Sequence, residues 1–248
     1  MTTRILYFIA CLLCLTNSRG QDKDPRLTEV WDPEPVRVTP GEGTAPPSDA
    51  IILFDGENMD AWHIPGETEW IIHEGMVSVV PSEKHRKSPV SITSRQSFGD
   101  FQLHLEWKTP AEVRGGGQRR GNSGVIIQGR YEIQVLDNYQ NRTYANGQAA
   151  SVYKQHIPLV NACRPPGEWQ CYDIVFRAPR FRENGSLISP AYVTVLHNGV
   201  LVQNHTEIEG SIRFIGLPGY EPHPLKQSLK LQDHGDAVSY RNIWLREL

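Results

Sequence analysis

The chain has 248 residues, of which 39% are hydrophobic, and a formal net charge of −3 at pH 7. That acidic balance excludes a nucleic-acid partner held by bulk basicity. Apolar runs fall well short of the roughly 20 residues that cross a bilayer, which excludes a transmembrane anchor.

Residues 1–20 read as a secretory signal peptide. Arg4 precedes an apolar stretch from Ile5 to Leu15, and Ser18 and Gly20 stand at the −3 and −1 positions of a small-x-small cleavage site. The mature chain then starts at Gln21, and the expected location is periplasmic or extracellular. Residues 21–49 carry Pro25, Pro33, Pro35, Pro40, Pro46 and Pro47, so neither a strand nor a helix can run through them. They read as an extended N-terminal arm or linker.

Residues 50–248 read as one domain with a predominant period of two. Strands are expected over 51–53, 70–73, 76–80, 101–108, 123–128, 131–136, 172–177, 191–197, 200–205, 228–232 and 240–246. Glu74-Gly75, Gln128-Gly129 and Asn198-Gly199 fall between neighbouring pairs, the last as an Asn-Gly hairpin signal. No amphipathic segment of twelve residues or more is present. Two packed antiparallel sheets are therefore the expected architecture, with a closed barrel as the alternative.

Three groups of residues carry possible chemistry. The first runs from Gly121-Asn122-Ser123-Gly124 to Tyr131-Glu132-Ile133-Gln134-Val135-Leu136-Asp137. Strand alternation places Glu132 and Gln134 on one face, with Asp137 at the strand end. By pattern alone that face reads as solvated. The second is Lys230-Leu231-Gln232-Asp233-His234-Gly235-Asp236, followed by Tyr240-Arg241-Asn242. Its acids suit either turn chemistry or a calcium site built on Asp233 or Asp236. The third joins Tyr153, Lys154 and His156 to Glu168 and Trp169, and aromatic rings beside polar groups suit the C–H faces and hydroxyls of a sugar. Arg114 to Arg120 lacks the ending of a phosphate-binding loop and reads as a rim loop. Cys163 and Cys171 could form a local disulfide or remain two buried thiols.

The same segments resemble a known family, the DUF1080 domain described as a 3-keto-disaccharide hydrolase or 3-keto-glycoside lyase/hydratase domain. The resemblance rests on Leu53-Phe54-Asp55-Gly56 with Trp62, Ser97-Phe98-Gly99-Asp100, and the Gly121 and Tyr131 segments above. It continues through Gly147-Gln148-Ala149-Ala150, Pro166-Gly167-Glu168-Trp169, Gln232-Asp233-His234-Gly235 and Arg241-Asn242-Ile243-Trp244. It implies an all-β, concanavalin A-like jelly-roll sandwich acting on an oligosaccharide or glycoside. The implied reaction starts at a C3 ketone, which acidifies the C2 proton so that a base can form an enolate and expel the group at C1. On that reading Glu132 or Asp137 is the base or a ligand for a divalent metal, and His234 is an acid/base. Lys154 and Arg241 stabilise negative charge, and Asn122, Gln134 and Gln232 orient the sugar. Two other readings compete: a conventional hydrolase with Glu106 and Glu132 as paired carboxylates, and a non-catalytic lectin-like module.

Overall fold

The computed structural model describes residues 24–66, 70–81, 87 and 89–248. The signal peptide expected over 1–20 lies outside them. The chain divides into two units, Met1–Arg37 and Val38–Leu248. In the first, the 3-10 turn Pro25–Thr28 is capped by Asp24, whose carboxylate accepts from the Arg26 amide. Everything below concerns the second unit, to which residues 38–49 belong.

Two antiparallel sheets enclose a single core. The large sheet runs in the order β13 (Val200–Ile208), β12 (Ala191–His197), β9 (Gln170–Arg177), β6 (Phe101–Lys108), β15 (Ser239–Glu247), β4 (Met76–Val79) and β3 (Trp70–His73). Strand β1 (Ile51–Phe54) also pairs with β15. The small sheet runs β2 (Trp62–His63), β5 (Ile92–Phe98), β14 (Gln227–Leu231), β7 (Ser123–Ile127) and β8 (Tyr131–Val135). A ribbon of β10 (Arg180–Phe181) and β11 (Leu187–Ser189) completes the described strands. This is the jelly-roll sandwich that the resemblance implies.

Alternation sets the layers. Leu103, Leu105, Tyr172 and Ile174 of the large sheet meet Val125, Ile127, Ile133, Val135 and Leu231 of the small one in the core. Asn198 and Gly199 take φ of 53° and 78° with His197 opposite Val200, which is the two-residue hairpin that Asn-Gly favours. Strand β5 escaped the sequence pattern because only Ile92, Ser94 and Phe98 of its seven residues are buried. Strands β2, β10 and β11 are too short to show a period.

Strand β8 departs from expectation in one respect. All five of its residues are buried, so the face carrying Glu132 and Gln134 is not solvated. Residues 150–153 close its free edge: Ala150 donates to the Gln134 carbonyl, Gln134 to that of Ser151, and Tyr153 to that of Glu132.

Candidate active site

The small sheet turns Ser123, Val125 and Ile127 inward, which leaves Gly124 and Ile126 on its outer face. Gly124 lies opposite Gln134, and Ile126 opposite Glu132. On the other side of β7, Lys230 pairs with Ile126, and the Gln232 amide donates to the Gly124 carbonyl. Two rows thus cross the face, Lys230–Ile126–Glu132 and Gln232–Gly124–Gln134. The middle of the second row is a glycine for a steric reason: a Cβ on Gly124 would stand 2.5 Å from Oε1 of Glu132.

Glu132 is 4% exposed, and among the described residues no hydrogen bond or ion pair holds its carboxylate. Burial alone raises its pKa to about 8. Two acceptors beside it are also orphaned, since Oε1 of Gln134 and Oε1 of Gln232 are buried without a partner. Buried polar atoms without partners are rare in native proteins and mark a place where another group belongs.

A cavity of about 600 Å³ opens at the end of this sheet, lined by Gln118, Arg119, Arg120, Asp137, His234 and Asp236 among others. Asp137 is buried and held by Arg120, whose Nε donates to Oδ2 at 2.6 Å, and by the Tyr139 amide at 3.0 Å. His234 is exposed at the mouth. Gln118 links cavity and sheet face, because its Oε1 accepts from Nε2 of Gln134 at 3.0 Å. Asn122 donates its side-chain amide to the Gln118 carbonyl. Of the candidates, Asp137 and His234 line the cavity, Asn122 and Gln134 are tied to it through Gln118, and Glu132 and Gln232 stand on the adjoining sheet face. Sequence reading missed Gln118 and Arg120 as parts of the cavity lining, although both sit in the loop read as a rim.

The remaining candidates lie elsewhere or are already engaged. Asp233 accepts from the Gly235 amide in a local turn and from the distant Val90 amide, and Asp236 accepts from the Asn122 backbone amide of another segment, so both carboxylates are already engaged by backbone donors. Tyr153 hydrogen-bonds Tyr144 at 2.6 Å. Lys154 donates to the Phe214 carbonyl at 2.7 Å and sits over the Phe214 ring. Trp169 and Arg241 are not beside Glu132. They stack on each other, 4.1 Å from guanidinium to ring centroid, on the outer face of the large sheet. The reason is parity: Tyr240 points inward to Ser123, so Arg241 points out.

That second face carries a cluster of its own. Arg241 donates to Glu106 at 2.6 Å, and Asn242 and Thr44 donate to the other Glu106 oxygen at 3.0 and 3.1 Å. His104 bonds Asp173 at 2.7 Å and stacks on Trp244. The nearby His104 imidazole, 3.8 Å away, leads the interactions that lower the Glu106 pKa to about 2, with Asn242 and Arg241 adding to it against the opposing effect of burial. Burial would lower the pKa of His104, but Asp173, Cys171 and Glu106 together raise it to about 11. Glu106 and Glu132 thus project from opposite faces of the sandwich and cannot flank one glycosidic bond, which removes the paired-carboxylate arrangement. Of the two alternatives for the cysteines, the structure has the separate thiols, since both are free. Cys163 faces the Leu136 carbonyl while Cys171 points to His104 and Asp173, so the two are directed at different partners.

A family model described as a 3-keto-alpha-glucoside-1,2-lyase-like domain matches residues 49–246. The chain belongs to that family. A curated relative from Bacteroides thetaiotaomicron, named 3-keto-disaccharide hydrolase, is 24% identical over 304 positions that take in 99% of each chain. A provisionally designated glycosyl hydrolase from Parabacteroides distasonis, known from its crystal structure, is 46% identical with a TM-score of 0.83, covering 91% of this chain and 97% of its own. A second Parabacteroides distasonis structure with that designation, at 20% identity and a TM-score of 0.58, covers 80% of this chain and 94% of its own and shares the fold.

Proposed function

We propose that this chain is an exported enzyme that cleaves 3-keto-glycosides, with Glu132 taking the C2 proton. Family membership and the name of the Bacteroides relative support the substrate class. The leader-like sequence pattern expected over 1–20 supports export. The observation that carries the mechanism is the buried, unpartnered Glu132 carboxylate with a pKa near 8, because a general base works best when its pKa is close to the operating pH.

The keto sugar lies over the Gln232–Gly124–Gln134 row, where its hydroxyls donate to the two orphaned amide oxygens. Glu132 removes the proton from C2, and the C–H electrons pass into the C3 carbonyl as an enolate. Collapse of the enolate breaks the bond from C1 to the leaving oxygen, which takes its proton from His234 at the cavity mouth. Water then adds at C1, giving its proton to His234, and protonated Glu132, whose carboxyl proton has exchanged with solvent, protonates C2, so the net change is hydrolysis. Lys230, two strands from Glu132 on the same face, is the cation available to the enolate oxygen in place of Arg241.

The test is incubation of the purified protein with a 3-keto-disaccharide and with its unoxidised parent, with and without chelator, in deuterated water. Release of sugar from the keto form alone, with deuterium at C2 of the product, supports the reading. Tight binding of either sugar without cleavage would make the chain a lectin-like module instead. Cleavage of the parent without deuterium at C2 would overturn the proposed chemistry.

A further inference from the structure

We propose that His104, Cys171 and Asp173 form a site for one zinc-class divalent cation on the outer face of the large sheet, apart from the Glu132 surface. Strands β6 and β9 are neighbours, with His104 opposite Asp173 and Glu106 opposite Cys171. All four side chains therefore project from one patch of two strands. The candidate ligand atoms lie within 4.8 Å of one another.

The spacing fits tetrahedral coordination. Sγ of Cys171 is 3.7 Å from Nδ1 of His104 and 3.5 Å from Oδ2 of Asp173. Metal–sulfur bonds of about 2.3 Å and metal–nitrogen or –oxygen bonds of about 2.0–2.1 Å give tetrahedral edges of about 3.5 Å. The third edge, Nδ1 to Oδ1 at 2.7 Å, is a hydrogen bond that must open by roughly half an ångström. Asp173 can supply that movement, since its side chain is 36% exposed.

Polar groups also line the far side of the imidazole. Nε2 of His104 faces Oε1 of Glu106 at 3.8 Å and the Asn242 amide at 3.3 Å, and Trp244 stacks on the ring at 5.1 Å. With a metal on Nδ1, the Nε2 proton would point at this second carboxylate, itself held in place, and a closer approach of a few tenths of an ångström would form the hydrogen bond that commonly fixes a ligating histidine. Access comes through a cavity of about 570 Å³ beneath residues 38–47, which touches both His104 and Asp173 and leaves room for a fourth ligand. Thiolate and imidazole donors favour zinc, cobalt or copper over calcium. An ion-pair cluster alone would explain His104, Glu106 and Asp173, but it gives the Cys171 thiol no role.

The experiment uses the full chain, reduced and treated with chelator, then titrated with Co²⁺ and back-titrated with Zn²⁺. One Co²⁺ should bind per chain with a thiolate-to-cobalt charge-transfer band in the near ultraviolet, and Zn²⁺ should abolish the band. Cys171→Ser should remove the band, and Cys163→Ser should leave it unchanged. Asp173→Asn, which keeps shape and drops the charge, should weaken Co²⁺ binding by about 10-fold or more. Failure to bind Co²⁺, binding without the band, a band that depends on Cys163, or an affinity unaltered by Asp173→Asn would each overturn the proposal. Because none of these readouts involves sugar turnover, the outcome is independent of the proposed reaction.

Discussion

Glu106 stands on a central strand of the large sheet and Glu132 on the edge strand of the small one, each nearly excluded from water and each pointing out of the sandwich, yet their acidities move in opposite directions. Glu106 is gripped by Arg241, Asn242, Thr44 and His104 and is held near 2. Glu132 has no such partner among the described residues and is pushed to about 8. Burial acts on both in the same direction, so what separates them is whether the sheet face supplies donors. A carboxylate given donors is fixed in its ionised form and serves the structure. One denied them sits near neutrality and can exchange a proton.

The sharpest way to break this contrast is Glu132→Gln, which keeps shape and hydrogen-bonding capacity while removing the base. Turnover of a 3-keto-disaccharide should fall by about 10²–10⁴-fold, as measured by released sugar. The same variant carries a stability signature. The folded pKa of Glu132 lies above its ordinary value of 4.5, so ionisation costs the fold nothing below that pH and progressively more as pH rises toward 8. Glu132→Gln should therefore match the parent at pH 4.5 in thermal unfolding and exceed it by on the order of 3 kcal/mol at pH 8.5.

Gly124→Ala tests the geometry and leaves the acid in place. The added methyl displaces the Glu132 carboxylate, and kcat/KM should drop by roughly 10²-fold with secondary structure unchanged by circular dichroism. On the opposite face the expected effects are on stability only. Glu106→Ala strands His104 and a half-exposed Arg241, which should cost about 2 kcal/mol in denaturant unfolding. Thr44→Val removes one donor to Glu106 and should cost about 1 kcal/mol, with turnover unaffected.

Much of the fold was legible because alternation is a local property. The 101–108 and 191–197 strands and the Asn198-Gly199 hairpin were placed from residue spacing alone. Burial of the outer faces was not legible, because it depends on what lies over them. Glu132 and Gln134 read as solvated since nothing in their own strand announces that residues 145–153 close over and beside them. The His104-x-Glu106 and Cys171-x-Asp173 pairs are visible as alternating polar residues. Their meeting depends on the pairing of β6 with β9, which spacing does not specify. Arg241 and Trp169 failed as partners for Glu132 for a related reason: which way a strand faces is set by its neighbours, and Tyr240 was needed inside.

Strand β15 lies at the middle of the large sheet, where it joins β6 on one side to β1 and β4 on the other. Residues near the start of the same unit also wait for it, since the Thr44 carbonyl accepts from Trp244 and Asp49 pairs with Arg246, about 200 positions apart. Contacts of such long sequence separation form late, because the loop must close before any reward is gained. The two halves of the large sheet thus stay unjoined until residues 239–247 are available. A chain delivered in order from its N-terminus therefore remains open along that seam until residues 239–247 follow.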